Sequence, residues 1–285
     1  MGSLFLFFLI NDLHKSLNRF NFAKNNFEVI KYQIIMQEEF KSEGKCLFCG
    51  EKFAQADVVK HLTTHFKEMS KTGKPGLSFL VQVGLPKKWG KTPFFLSLWV
   101  DGETTLKTLD TFLRDIWLEC CGHMSAFSLP RRKPSKKFDI NAFSHLIDED
   151  SEFPNEISMS KKAKVVFAKG LVLEYEYDFG SSTNLEITVV NEFPVKADKK
   201  IVLLSRNEPM EILCCICKKV PATQICTVCM YNKEAMFCDQ CAKKHEKKCE
   251  DFADYASMPI VNSPRMGVCG YTGGSIDTER DVYKA

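Results

Sequence analysis

The sequence predicts an α+β domain of antiparallel strands and one long helix, flanked by small cysteine-rich modules. Three observations lead there: β-rich runs bounded by turn residues, one amphipathic stretch of helical period among them, and Cys-x-x-Cys pairs on either side. The strand runs are Leu77 to Val83 and Phe94 to Val100, then Ala126 to Leu129 as the end of a return strand. Lys164 to Ala168, Leu171 to Tyr177 and Leu185 to Val190 read as three more, and Ile201 to Ser205 closes the domain. Thr104 to Glu119 carries Leu106, Leu109, Leu113, Ile116 and Trp117 at helical spacing, with Thr104 or Thr105 as its cap. A hairpin turn from Asp178 to Asn184 joins two strands; Gly180 is expected to take a positive φ there and Asp178 to hydrogen-bond the turn backbone. A chain that is 45% apolar and 12% aromatic has the material for a buried core.

The cysteines carry the clearest chemistry. Cys46-x2-Cys49, eleven residues, then His61-x3-His65 is a two-cysteine, two-histidine zinc finger arrangement. The Cys-x-x-Cys turn aims two thiolates at one point, and histidines four apart share a face of the helix expected from Asp57 to Phe66. Phe53, Val58 and Leu62 supply its small core, and Ser70 to Gly76 reads as a linker. Further on come Cys214-x2-Cys217, Cys226-x2-Cys229, Cys238-x2-Cys241, His245 and Cys249, eight ligands for two more ions. Cys215 is the alternative to Cys214, and the two-residue spacing selects Cys214. The apolar content of this segment is thin, so ordering its backbone at ~1–2 kcal/mol per residue needs the ~10–16 kcal/mol that a structural zinc contributes. Three structural zinc ions are expected, all in full ligand sets with no open position for catalysis.

Two resemblances add to this reading. The interleaved cysteine pairs resemble the cross-brace of B-box, HIT-type and MYND-type fingers, in which the first and third pairs share an ion. That resemblance implies Cys214, Cys217, Cys238 and Cys241 around one ion and Cys226, Cys229, His245 and Cys249 around the other. The run Tyr175-Glu176-Tyr177-Asp178-Phe179-Gly180 leading to Leu185-Glu186-Ile187-Thr188-Val189 resembles the hairpin signature of the plasmid pRiA-type ORF-three family, also called the TnpR-like insertion-element passenger family. Phe94 to Trp99, the following helix and His123-x3-Phe127 fit it too, so the resemblance covers about residues 77 to 208. It implies an α+β domain associated with mobile elements. The acid, Trp and His that commonly follow the glycine in that family are replaced here by Ser181, Thr183 and Leu185. The stretch Pro259 to Gly273 is similar to the ends of zinc-bearing members.

The expected organisation is an extension over 1–35 with the true start at Met36, a finger over 36–70, the α+β domain over 77–208, the cross-brace over 209–252, and a strap and tail over 253–285. A formal charge of +3 is too small to argue for nucleic acid, and nine thiolates around three dications remove the excess. The finger positions that would read bases, Ala54, Asp57 and Lys60, offer no bidentate Arg, Asn or Gln. Non-specific phosphate contact through Arg131, Arg132, Lys133, Lys136, Lys137, Lys243, Lys244, Lys247 and Lys248 is the alternative to a protein partner. The apolar run Leu4 to Ile10 is far short of the ~20 residues of a membrane span, and thirteen cysteines, most of them in Cys-x-x-Cys pairs with nearby histidines, point to a reducing cytoplasm. Cys120, Cys121 and His123 read as a buried helix end before a core strand, and Asp148, Glu149 and Asp150 as an acidic surface loop. An enzyme ranks last, behind a protein-interaction adaptor and a non-specific nucleic-acid binder. Because residues 1–35 hold no ligand, a chain beginning at Met36 is expected to bind the same number of zinc ions and to melt at the same temperature. Elemental analysis and thermal melting of the two forms check this.

Overall fold

Strands β3 (Pro75–Gly84) and β4 (Phe95–Asp101) lack the alternation of a half-exposed strand, and every residue of β4 is buried. The reason is a helix on each face of their sheet. Phe79, Val81, Val83, Leu96, Leu98 and Val100 point to one side, where they meet α2 (Leu106–Leu113). Leu80, Phe95 and Trp99 point to the other, against Val58, Leu62 and Phe66 of α1 (Gln55–Thr72). The second helix is that of the amino-terminal finger, so the finger supplies one layer of the main body. Phe66 sits edge-on to Trp99 at 5.2 Å and stacked on Phe193 at 4.6 Å. In a computed structural model the described residues are 42–130, 145–147, 155–232 and 234–284. The extension over 1–35, the basic run from Arg131 to Lys137 and the acidic loop at 148–150 lie outside them.

The antiparallel sheet has seven strands in the order β6-β5-β7-β8-β3-β4-β9, adding β5 (Ser125–Ser128), β6 (Glu156–Ile157), β7 (Val172–Tyr177), β8 (Thr183–Val195) and β9 (Ile201–Arg206). Mixed helices and antiparallel strands make this an α+β fold, as expected. The finger's own hairpin, β1 (Glu43–Lys45) with β2 (Lys52–Ala54), joins the sheet edge through Leu47 N to Leu204 O at 2.8 Å and Glu208 N to Glu43 O at 2.8 Å. A second sheet of order β11-β10-β12 is built from β10 (Gln224–Cys226), β11 (Met236–Phe237) and β12 (Ser257–Pro259), and α4 (Asp239–Glu246) follows β11.

Four expectations are corrected. Ser70 to Gly76 is no linker, because α1 runs to Thr72 and β3 begins at Pro75. Its glycines serve close approach: a Cβ on Gly73 would meet Val195 at 2.5 Å and one on Gly76 would meet Lys196 at 2.7 Å. Lys164 to Ala168 is not a strand; the short helix α3 (Ala163–Val166) stands there, since the buried residues Ala163, Val166 and Phe167 follow helical spacing. The helix expected to reach Glu119 is capped by Thr105, which accepts from Thr108 N at 3.2 Å, and turns into a wider π-helical turn over Arg114–Leu118. In the β7–β8 turn it is Asp178, at φ 63°, that takes the left-handed conformation, and its Oδ1 accepts from Gly180 N at 3.0 Å and Ser181 N at 3.1 Å.

A buried ionic network fixes the end of the π-helical turn. Asp110, with no exposed side-chain surface, accepts from Ser125 Oγ at 2.6 Å, Tyr175 OH at 2.8 Å, Lys107 Nζ at 2.9 Å and Arg114 Nε at 3.1 Å. Arg114 goes on to donate to His123 O at 2.6 Å and Glu119 Oε2 at 2.9 Å, and Glu119 Oε1 accepts from Gly122 N. The 119–123 loop is therefore held from below. Burial pushes the Asp110 carboxyl up, but the four donors outweigh it and hold it below the usual carboxylate range. Removing it would leave Tyr175 OH, Ser125 Oγ and Arg114 Nε without their buried acceptor, so Asp110→Ala is expected to cost about 3–5 kcal/mol at neutral pH. A depressed carboxyl stabilises fully above its unfolded value of about 3.9 and loses that contribution as pH falls through its folded value. Urea unfolding of the two forms should give a constant gap above about pH 5 that narrows only in stronger acid.

Candidate metal centres

The local backbone explains how each expected ligand set converges. At the first, Cys46 opens a tight turn in which Gly50 N donates to Cys46 O at 2.9 Å and Gly50 takes φ 77°. His61 and His65 lie one turn apart on α1, with Nε2 atoms 3.0 Å from each other and Cys49 Sγ 3.2 Å from His61. Burial and the neighbouring His65 hold the His61 imidazole below its ordinary value, which favours the neutral form that a metal ligand requires. Phe53 stacks on His61 at 3.9 Å and fixes the ring.

In the carboxyl-terminal module Cys214, Cys217, Cys238 and Cys241 form one cluster, and Cys226, Cys229, His245 and Cys249 another. This is the interleaved grouping that the cross-brace resemblance implied. Within each cluster the ligand atoms all lie within 4.8 Å of one another. Cys217 to Cys238 and Cys226 to Cys249 are 3.9 Å apart, and Cys229 to Cys249 3.8 Å. Those separations are far too long for a disulfide and match the ~3.8 Å edge of a tetrahedron with ~2.3 Å metal–sulfur bonds. The Nε2 of His245 is buried and makes no hydrogen bond, so its lone pair is free for an ion, and the ring is held by Phe237 stacked at 4.2 Å.

The thiol chemistry separates Cys214 from its neighbour. Burial pushes the Cys214 thiol up, but backbone amides of Cys217, Cys238 and Ile216 outweigh it and bring it to about 6. Cys215 is pushed up to about 11 by burial, and its sulfur is outside the cluster. Burial and their neighbouring thiols push Cys229 and Cys241 up to about 12, because converging thiolates repel until a cation lies between them.

A fourth cluster was not expected. Cys120, Cys121 and His123 are not a buried helix end: Cys121 is exposed and the others half-buried, and they meet Cys269 from the carboxyl-terminal strap. The sequence signal that could have found it is the glycine after each of two cysteines, Cys121-Gly122 and Cys269-Gly270.

No protein-family model matches the chain, and no curated protein does either. Among solved structures, the chain is similar to a protein of unknown function from Methanosarcina mazei Go1, with 16% identity over 46% of this chain and 68% of that one and a TM-score of 0.34. A likeness of that size supports no statement about activity.

Side-chain substitution tests the ligand assignment directly. Cys214→Ser is expected to lower the metal content of the purified chain and Cys215→Ser to leave it unchanged. Elemental analysis of both variants distinguishes the two cysteines.

Proposed function

We propose that this protein is an adaptor whose metal clusters hold structural zinc and whose zinc modules present a surface to a protein partner. Zinc suits the donors, since thiolate and imidazole sulfur and nitrogen in sets of four match its tetrahedral preference, and a complete set leaves no coordination position for a substrate. The observation that carries the adaptor reading is the apolar character of the exposed turn tips. Leu47 lies inside the first Cys-x-x-Cys turn and is 57% exposed; Ile216 and Val228 lie inside two others and are 50% and 39% exposed. A turn built only to hold metal has no need of large apolar tips, whereas apolar side chains that lose water on contact are what a protein interface uses.

Nucleic acid is the second reading, and the exposed Lys243, Lys244, Lys247 and Lys248 favour it. Glu246 and Glu250 stand among them, which dilutes a phosphate-tracking field. The finger helix also has its Val58, Leu62 and Phe66 face occupied by the sheet. The resemblance to insertion-element passenger proteins belongs with this proposal as a pointer to the biological setting, without identifying the partner.

The test pairs a pull-down under nuclease with titration of duplex DNA and RNA at two salt concentrations. A partner that survives nuclease, and is lost in an Ile216→Asp, Val228→Asp variant of unchanged zinc content, is expected. Submicromolar binding to either polymer, with a log–log salt slope of roughly 0.7–0.9 per neutralised phosphate and abolished by neutralising the lysines, would overturn it.

A further inference from the structure

We propose that Cys120, Cys121, His123 and Cys269 bind a fourth zinc ion that fastens the carboxyl-terminal strap to the α+β body. Four soft donor atoms from two distant parts of the chain converge here. Cys121 Sγ lies 3.6 Å from Cys120 Sγ and 3.8 Å from Cys269 Sγ, and His123 Nε2 lies 2.9 Å from Cys121 Sγ and 3.2 Å from Cys269 Sγ. The sulfur separations are those of the cross-brace clusters, and all four ligand atoms fall within the same 4.8 Å limit.

The backbone repeats a signature found at two of the other clusters. The residue after the cysteine is left-handed at Gly50, φ 77°, and Lys218, φ 52°, which close the turns of Cys49 and Cys217. It is left-handed again at Gly122, φ 76°, and Gly270, φ 69°. A Cβ at either of these two glycines would meet nothing within 4 Å, so the conformation and not crowding requires them. Cys269 itself sits at φ 48°, an uncommon conformation for a residue with a Cβ.

The surroundings suit a three-thiolate zinc site, which carries net negative charge. Arg265, buried completely, points NH2 at Cys120 Sγ from 3.4 Å. Asp178 Oδ2 lies 3.5 Å from His123 Nε2 and 2.7 Å from Arg265 NH2, so it is already paired with the guanidinium. Binding would release the thiol protons of the three cysteines. Accessibility also sets this site apart: it is the one cluster among the described residues with no buried ligand, and Cys121 and Cys269 are exposed. Its ion is therefore the first that a chelator reaches.

Native mass spectrometry of the full chain, purified reduced and without chelator, is expected to count four zinc ions, and three in a Cys121→Ser, Cys269→Ser double variant of unchanged circular dichroism. A count of three in both forms would overturn the fourth site and leave the three-ion reading standing, whereas a count below three would overturn that reading. Alkylation of the wild-type chain covers the case of a variant that fails to fold. Cys121 and Cys269, though exposed, should resist iodoacetamide in the zinc-loaded protein and become reactive on mild chelation before the cross-brace cysteines do. Immediate alkylation of both, or a mass two hydrogens lighter with a disulfide between them, would sink the proposal.

Discussion

The buried guanidinium of Arg265 is the contact on which the carboxyl-terminal half of the molecule depends. It donates to Asp178 Oδ2 at 2.7 Å, to Ser181 O and Thr183 Oγ1 at 3.0 Å each, and lies 4.7 Å above the Tyr177 ring. Burial alone would drive its charge away, yet the paired carboxylate of Asp178 more than compensates. A reciprocal arginine works in the opposite direction: Arg206 of β9 reaches out to Asn262 O at 2.7 Å, Asp281 Oδ1 at 2.6 Å and Asp277 Oδ2 at 3.0 Å. One strap arginine enters the sheet's turn and one sheet arginine enters the strap. Ser263, donating to Trp117 O at 2.7 Å, lies between them.

These anchors explain why a strap of little regular structure can hold a side chain such as Cys269 in a fixed place. They also bring together the two parts of the chain that form the Cys120–Cys121–His123–Cys269 cluster. The Asp110–Arg114–Glu119 network fixes the loop that carries Cys120, Cys121 and His123, while Arg265 fixes the segment that carries Cys269. The four donor side chains meet at one spot from two separately braced supports. That is the arrangement by which proteins hold donor atoms without relying on a single tight turn.

What the sequence revealed follows from how local each feature is. The finger's ligand set and the cysteine pairs of the cross-brace could be read because Cys-x-x-Cys turns and histidines one helical turn apart are decided by neighbouring residues, whereas which pairs group together came from the resemblance to cross-brace fingers. The strands around Leu77, Phe94, Leu171 and Leu185 were legible for the same reason, through their β-branched and aromatic content. Cys120 and Cys121 have no Cys-x-x-Cys spacing, and their partner Cys269 comes from the other end of the chain, so no window of sequence contains that cluster. Gly73 and Gly76 looked like a linker because composition cannot distinguish a glycine that bends freely from one that admits a neighbour. Nor does an apolar stripe on α1 announce that a sheet, and not a partner, will cover it.

The strand order gives the molecule two folding clocks. In the cross-brace every ligand comes from a short stretch between Cys214 and Cys249, so its loops close quickly once metal is present. The middle of the large sheet is different, because Val81 of β3 must wait for Val189 of β8. Pairings between such distant segments raise the contact order and slow the search for the native state. The local clusters and the long-range sheet therefore place opposite demands on chain closure within one molecule.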